Sequence, residues 1–241
     1  MENDNVLSLG NSKMLPNFLI SVPADSKVER LKLTAGGTVS YYPDFLTPDE
    51  HLKLLQHLVY DVDWQTSVNE MYGKMVTFPR LLAAMFDPGF KVTKTGSLWE
   101  EDDEWVAESG TWTPQILSLK QRIEKLINRK IGYAQLGYYK TGDNYLGYHA
   151  DNELYDNDII ASVSFGVTRR FVIRERYLPE GKTRKSGPPN YEFFLKGGSL
   201  FLFDHLAAKT CYKHSVPKYR KMDNYVDPYG LGRVNITFRE R

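Results

Sequence analysis

Near the C-terminus, Arg233-Val234-Asn235-Ile236-Thr237-Phe238-Arg239 alternates polar and apolar residues without a break. A strand turns successive side chains to opposite faces, so Val234, Ile236 and Phe238 share one face and Arg233, Asn235, Thr237 and Arg239 the other. From about residue 133 the chain is built of similar stretches, "YAQLGYYK", "IIASVSFG", "RRFVIRER", "YEFFLK" and "SLFLF", each β-branched or aromatic and separated by Gly, Asp, Asn or Pro. These predict strands. The earlier chain has a different period. Thr47-Pro48-Asp49-Glu50 supplies an N-cap, a first-turn proline and a capping-box glutamate, and Leu52, Leu55, Leu58 and Val59 follow at helical spacing. A helix is predicted over 48–60. Thr113-Pro114 announces a second, with Ile116, Leu119, Ile123, Leu126 and Ile127 as its apolar stripe. "GTVSYYPDFL" reads as a short strand ending in a turn, and the region between the helices as irregular and aromatic-rich, with the acidic run 99–105 inside it. Residues 1–35 show no clear period and are expected to form a loosely attached N-terminal extension. Helices followed by many short strands predict an α+β protein whose C-terminal half is an all-β sandwich or barrel.

The 241 residues suit one large domain with an extension, and a net charge of +1 gives no global field to recruit nucleic acid. Binding of that kind depends on local patches. Two are present: Arg169, Arg170, Arg174, Arg176, Lys182, Arg184 and Lys185, and Lys209, Lys213, Lys218, Arg220 and Lys221. They are expected to track phosphates, against the plainer reading of solvated strand edges. A single cysteine, Cys211, excludes an intrachain disulfide framework and a Cys-rich zinc site and fits a reducing compartment. The acidic, polar N-terminus is not a secretory signal, and no apolar run approaches the roughly 18 residues of a membrane span. The expected address is intracellular, nuclear or cytoplasmic.

Of the five histidines, His51 and His57 belong to the first helix and suit structural roles. His149 stands two residues before Asp151, a spacing that puts imidazole and carboxylate on one face of extended chain. They would supply two ligands of a 2-His-1-carboxylate facial triad, the arrangement that leaves open positions on iron(II). The third ligand is His214 or His205; His214, well separated in sequence after "SLFLF", is favoured. Iron that uses dioxygen needs two further electrons, which a 2-oxo acid such as 2-oxoglutarate supplies, and its distal carboxylate needs a fixed cation. An arginine fork suits it. If the Arg233 face lines an interior, its guanidinium calls for an anionic partner, since an uncompensated buried charge costs about 3–5 kcal/mol.

"HADNE", "IIASVSFG", "GGSLFLFD", "HSVP" and "RVNITFR", in this order, resemble the AlkB family of Fe(II)/2-oxoglutarate-dependent dioxygenases, closest to its nucleic-acid repair branch. The resemblance covers roughly residues 37–241, "YYPDFLTPDE" and "FPRLLAAMFD" included. It implies a double-stranded β-helix (jelly-roll) core over about 133–241, a nucleotide-recognition lid over about 64–112, and a dioxygenase domain spanning 36–241. It implies Fe(2+), 2-oxoglutarate and O2, and removal of alkyl groups from bases such as 1-methyladenine and 3-methylcytosine in DNA or RNA, with aldehyde, succinate and CO2 released. Carried across, His149, Asp151 and His214 resemble the iron ligands. Arg233 resembles the arginine that holds the distal carboxylate, and Tyr139, Asn235, Thr237 and Arg239 resemble further co-substrate residues. Two positions depart from the pattern. Gly137 stands where the repair branch usually carries Asn, and Asn152 precedes Glu153 where an acid tends to meet the base. Phe86 in the lid is the expected base-stacking residue, ahead of Met85, Trp99 and Trp112, with Arg80 at the site edge or on a phosphate. Two other readings are a demethylase of modified RNA or of protein, and a nucleic-acid-binding module on a degenerate dioxygenase scaffold.

Overall fold

The computed structural model describes residues 6–7, 20–22, 24–71, 74–89, 91–93, 104–106, 111–152, 154–176, 190–220 and 226–240. Strands β1 (Val6–Leu7), β2 (Ile20–Val22), β3 (Arg30–Lys32) and β4 (Thr38–Tyr42) precede helix α1 (Pro48–Tyr60). A hairpin of β5 (Gln65–Met71) and β6 (Lys74–Phe86) follows, then β7 (Lys91–Thr93), β8 (Glu104–Val106) and helix α2 (Pro114–Ile127). The second half comprises β9 (Tyr133–Tyr139), β10 (Leu146–His149), β11 (Ile159–Gly166), β12 (Arg169–Glu175), β13 (Tyr191–Leu195), β14 (Leu200–Asp204), β15 (Tyr212–Val216) and β16 (Arg233–Arg239). A single π-turn, Leu206–Thr210, joins β14 to β15.

The last eight strands divide between two facing sheets. The large sheet runs β1-β3-β4-β14-β11-β16-β9-β6-β5 and the small one β10-β15-β12-β13-β2. Within them, β14-β11-β16-β9 faces β10-β15-β12-β13, the strand order of a double-stranded β-helix. The expected jelly roll is therefore present, and every one of its neighbouring strand pairs is antiparallel.

Both helices start as predicted. Thr47 accepts from the Glu50 amide at 3.3 Å while Glu50 accepts from the Thr47 amide at 2.9 Å, closing the capping box of α1. α2 ends at Asn128, which adopts a left-handed conformation (φ 53°). Leu55 and Leu58 of α1 and Ile116 and Ile123 of α2 pack on Val163 and Phe165 of β11 and on Val234, Ile236 and Phe238 of β16. A second core, with Ile160, Ile173, Phe193, Phe201 and Phe203, lies between the two sheets. The alternation of β16 assigns its faces: the apolar one to the helices, the polar one to the jelly-roll interior.

Three expectations change. Part of the stretch read as a loose arm is integrated: β2 pairs with β13, β3 pairs with β4, and Leu31 and Leu33 are buried. The region between the helices, read as irregular, contains the long hairpin β5–β6, and β6 pairs with β9. Its register shifts: Thr66 pairs with Leu81 but Val68 with Thr77, so β6 bulges across Phe78-Pro79-Arg80. The basic runs are also not uniformly solvated. Arg169 is buried and donates to the carbonyls of Thr141, Asn144 and Pro217, while Arg170 and Arg220 both pair with Glu192. Trp99, Lys182, Arg184, Lys185, Lys221 and most of the acidic run lie outside the described residues. No helix among the described residues is long and apolar enough to cross a membrane.

Candidate active site

β10 and β15 run antiparallel in the small sheet, and their register sets His149 directly across from His214. The imidazole centroids are 4.2 Å apart. Asp151 follows in the loop after β10, its amide donating to Ala208 of the π-turn at 3.1 Å, which fixes the carboxylate between the rings. Its Oδ2 lies 3.3 Å from His214 Nε2 and its Oδ1 3.7 Å from His149 Nε2. One donor atom from each of His149, Asp151 and His214 falls within a 4.8 Å cluster, the only such group of His, Cys, Asp or Glu among the described residues.

Each donor is oriented. His149 Nδ1 donates to the Gly147 carbonyl at 3.0 Å, which leaves Nε2 as the free lone pair. The rings of Phe171 and Phe203 flank His214 at 5.5 and 5.3 Å. Burial, aided by the neighbouring His214, pushes His149 down to about 3, so it stands neutral and ready to ligate. Burial alone would raise the Asp151 carboxyl, but the Arg239 guanidinium first, then His214 and its hydrogen bond, outweigh it and hold it well below the usual carboxylate range. Two imidazoles and an ionised carboxylate fit a hard-to-borderline divalent ion such as Fe(2+). His205, the alternative third ligand, is elsewhere: its Nδ1 accepts from the Asn157 amide at 3.0 Å. His51 accepts from the Gly166 amide, and His57 bridges Asp61 and Thr113.

The polar face of β16 forms the adjoining wall. Arg239 Nη2 donates to Asp151 Oδ1 at 3.3 Å. Arg233 is 1% exposed, and its Nη2 donates to Ser164 Oγ at 3.0 Å, but its Nε and Nη1 have no hydrogen-bond partner. Burial pushes the Arg233 guanidinium down to about 10, opposed by the nearby Tyr139 hydroxyl and reinforced by Arg169 and Arg80. Among the described residues no carboxylate pairs with Arg233, whereas an anionic ligand end would satisfy both orphaned nitrogens. Asn235 donates to Ser162 Oγ and the Val163 carbonyl, and Thr237 Oγ1 to the Gln135 carbonyl. Their protons are thus committed to neighbouring strands.

β9 presents Tyr133, Gln135, Gly137 and Tyr139 in register with Arg239, Thr237, Asn235 and Arg233. Phe86 pairs with Tyr133, at the Asp151 end of the row, while Met85 is buried in the helix-side core. Trp112 stacks on Phe238 and donates to Asp87, so it is core rather than base platform. Arg80 lies against Tyr139 and Gly137. Asn152 is exposed beside the triad, with Arg176 donating to it at 3.5 Å; Glu153 lies outside the described residues. Missed by sequence reasoning were Ser164, which holds Arg233, and Gly147, which sets the His149 tautomer. Only the two-residue offset between Gly147 and His149 hinted at the latter.

Comparison with known proteins bears on this geometry. The family model of the 2OG-Fe(II) oxygenase superfamily matches residues 38–239. DNA oxidative demethylase ALKBH2 of Bos taurus is 28% identical over 193 residues, covering 78% of this chain and 63% of the relative. Alpha-ketoglutarate-dependent dioxygenase alkB homolog 3 of Rattus norvegicus is 26% identical over 212 residues, covering 87% of this chain and 66% of the relative. The chain thus spans less than two thirds of the length of either. A crystal structure of an oxidoreductase of the 2OG-Fe(II) oxygenase family from Burkholderia pseudomallei aligns at a TM-score of 0.49 and 14% identity over 84% of each chain. The family model over residues 38–239 and the two relatives, set beside the triad and the jelly roll, show that the chain belongs to the 2OG-Fe(II) oxygenase superfamily and to its AlkB family.

Proposed function

We propose that the protein is an Fe(II)/2-oxoglutarate-dependent dioxygenase that oxidatively dealkylates bases such as 1-methyladenine and 3-methylcytosine in DNA or RNA. Family membership brings Fe(2+), 2-oxoglutarate and O2, and the names of the two relatives support the substrate class. One observation carries the reading: a His-Asp-His cluster and a buried arginine with two orphaned nitrogens share one interior wall. When bound, iron and 2-oxoglutarate supply the oxidation: O2 is consumed, the co-substrate becomes succinate and CO2, and the N-alkyl carbon is hydroxylated and lost as an aldehyde.

The chain's own residues do the rest. His149, Asp151 and His214 hold the metal on one side and leave the other side to ligands. Arg233 takes the distal carboxylate of 2-oxoglutarate as a fork, with the Tyr139 hydroxyl beside it. Asn235 and Thr237 act by fixing the strand that carries the arginines, because their donors are already used. Arg239 orients Asp151 and covers the metal-side carboxylate. Phe86 is the residue to stack a base, Asn152 borders its edge, and flipping a base out of a duplex costs a few kcal/mol, less for a damaged base than for an intact one. Arg174, over the Tyr148 ring at 3.9 Å, and Arg176 carry positive charge to the rim. The reading implies an intracellular address, in keeping with the free thiol of Cys211.

The test is succinate and aldehyde formation from 2-oxoglutarate with Fe(II), ascorbate and oligonucleotides carrying 3-methylcytosine, single- and double-stranded. His214→Ala is expected to lower turnover by about a thousandfold or more through loss of metal. Turnover on methylated peptide alone, or undiminished turnover in the variant, would overturn the reading.

A further inference from the structure

The Gly137 position holds more than a missing side chain. Gly137 sits mid-row on the interior face of β9, paired with Asn235 on one side and Leu82 of β6 on the other. A Cβ built there meets Arg80 Nε at 3.4 Å, Arg80 Cδ at 3.5 Å and the Tyr139 ring at 3.4 Å. The space a larger side chain would enter is thus occupied by Arg80. Arg80 stands two residues before Leu82 on β6 and so shares the face that Leu82 presents beside Gly137. Its guanidinium carbon stands 5.8 Å from the Tyr139 ring centroid, and that of Arg233 stands 5.3 Å from the same ring.

Arg80 Nη1 is buried without a hydrogen-bond partner, and no carboxylate among the described residues pairs with it. Arg169, a third guanidinium at this ring, is 5.5 Å away and donates to the carbonyls of Thr141, Asn144 and Pro217. Arg80 and Arg233, on one phenol and each with orphaned donors, make a place that an anion would satisfy. Burial lowers the Arg233 guanidinium first, and the nearby charge of Arg80 adds to it.

We propose that Arg80 is a second arginine of the co-substrate pocket, which binds the distal carboxylate of 2-oxoglutarate together with Arg233 and fills the place left open by Gly137. This rests on the dioxygenase reading and deepens it. It reassigns Arg80 from the nucleic-acid edge to the co-substrate. In this chain the space beyond Gly137 is filled by Arg80, at ordinary contact distance from where a Cβ would stand.

The experiment is calorimetric titration of the Mn(II)-loaded protein, without turnover, using 2-oxoglutarate and, in parallel, 2-oxobutyrate, which lacks the distal carboxylate. Arg80→Ala is expected to weaken 2-oxoglutarate about ten- to a hundredfold, the scale of one or two charge-assisted hydrogen bonds, and to leave 2-oxobutyrate unchanged. Arg80→Lys, which keeps the charge but not the fork, loses less. Should Arg80→Ala not fold, Arg80→Gln supports the same comparison, with Mn(II) affinity reporting an intact triad. Unchanged 2-oxoglutarate affinity, equal loss for both acids, or a loss confined to single-stranded oligonucleotide overturns the assignment of Arg80. Wild-type protein that binds no 2-oxoglutarate at all refutes the dioxygenase reading itself.

Discussion

Arg233 and Arg239 occupy the two ends of one strand, on one face, and both are buried. What separates them is an acid. Arg239 has an acid: it donates to Asp151, and although burial lowers its affinity for the proton, Asp151 and Tyr133 reverse the effect and raise it. Arg233 has no acid among the described residues, and burial wins. An alternating strand can therefore carry two buried cations for opposite reasons. One completes the protein's own electrostatics, and the other is completed only by a ligand.

The comparison breaks first at the paired end. Arg239→Met should cost about 3–5 kcal/mol of stability by stranding the Asp151 carboxylate, measured by urea denaturation of the metal-free protein. Arg233→Met should behave oppositely. Metal-free stability is expected to hold or rise, while the apparent KM for 2-oxoglutarate increases about ten- to a hundredfold with a smaller change in kcat. Added 2-oxoglutarate should raise the Tm of metal-loaded wild type but not of this variant. A smaller effect, about 1 kcal/mol, is expected in co-substrate binding for Ser164→Ala, which releases one arm of the Arg233 fork.

The last prediction concerns the wall behind Arg233. Gly166, its partner on β11, donates its amide to His51 Nε2 at 2.9 Å, and burial holds His51 below its ordinary value of 6.5. The unfolded chain then takes up a proton near pH 6.5 that the folded chain refuses, so stability falls as pH drops below that value. His149, held near 3, acts in the same direction in metal-free protein. His51→Gln should give a shallower decline of Tm between about pH 7 and 5 than wild type.

Much of this wall was legible in one dimension. The alternation of β16 separates the faces, and the His149–Asp151 spacing brings two ligands to one side. What alternation could not say is which face turns inward; that depends on α1 and α2 covering the apolar one. Nor could it choose between His205 and His214, because the choice rests on a register between strands far apart in sequence. The β5–β6 hairpin escaped because "FPRLLAAMF" shows no period of two: its bulge across Phe78-Pro79-Arg80 interrupts the pleat, and its pairing passes from β5 to β9 at Leu81 and Leu82. Strands β2 and β3 escaped for a different reason. At three residues each they have little intrinsic preference, and their structure comes from the neighbours they join. Charge runs misled because consecutive arginines on a strand point opposite ways, which took Arg169 into the interior.

The large sheet is a partition. Val234, Ile236 and Phe238 belong to the helix compartment, and the residues between them to the chemistry, so no side chain of β16 serves both. Repacking α1 or α2 against that sheet can reach the metal only by shifting the backbone of β16 as a whole. The helical layer can therefore be varied for robustness while the catalytic compartment keeps its contents, and altered selectivity must be sought from the β6–β9 side.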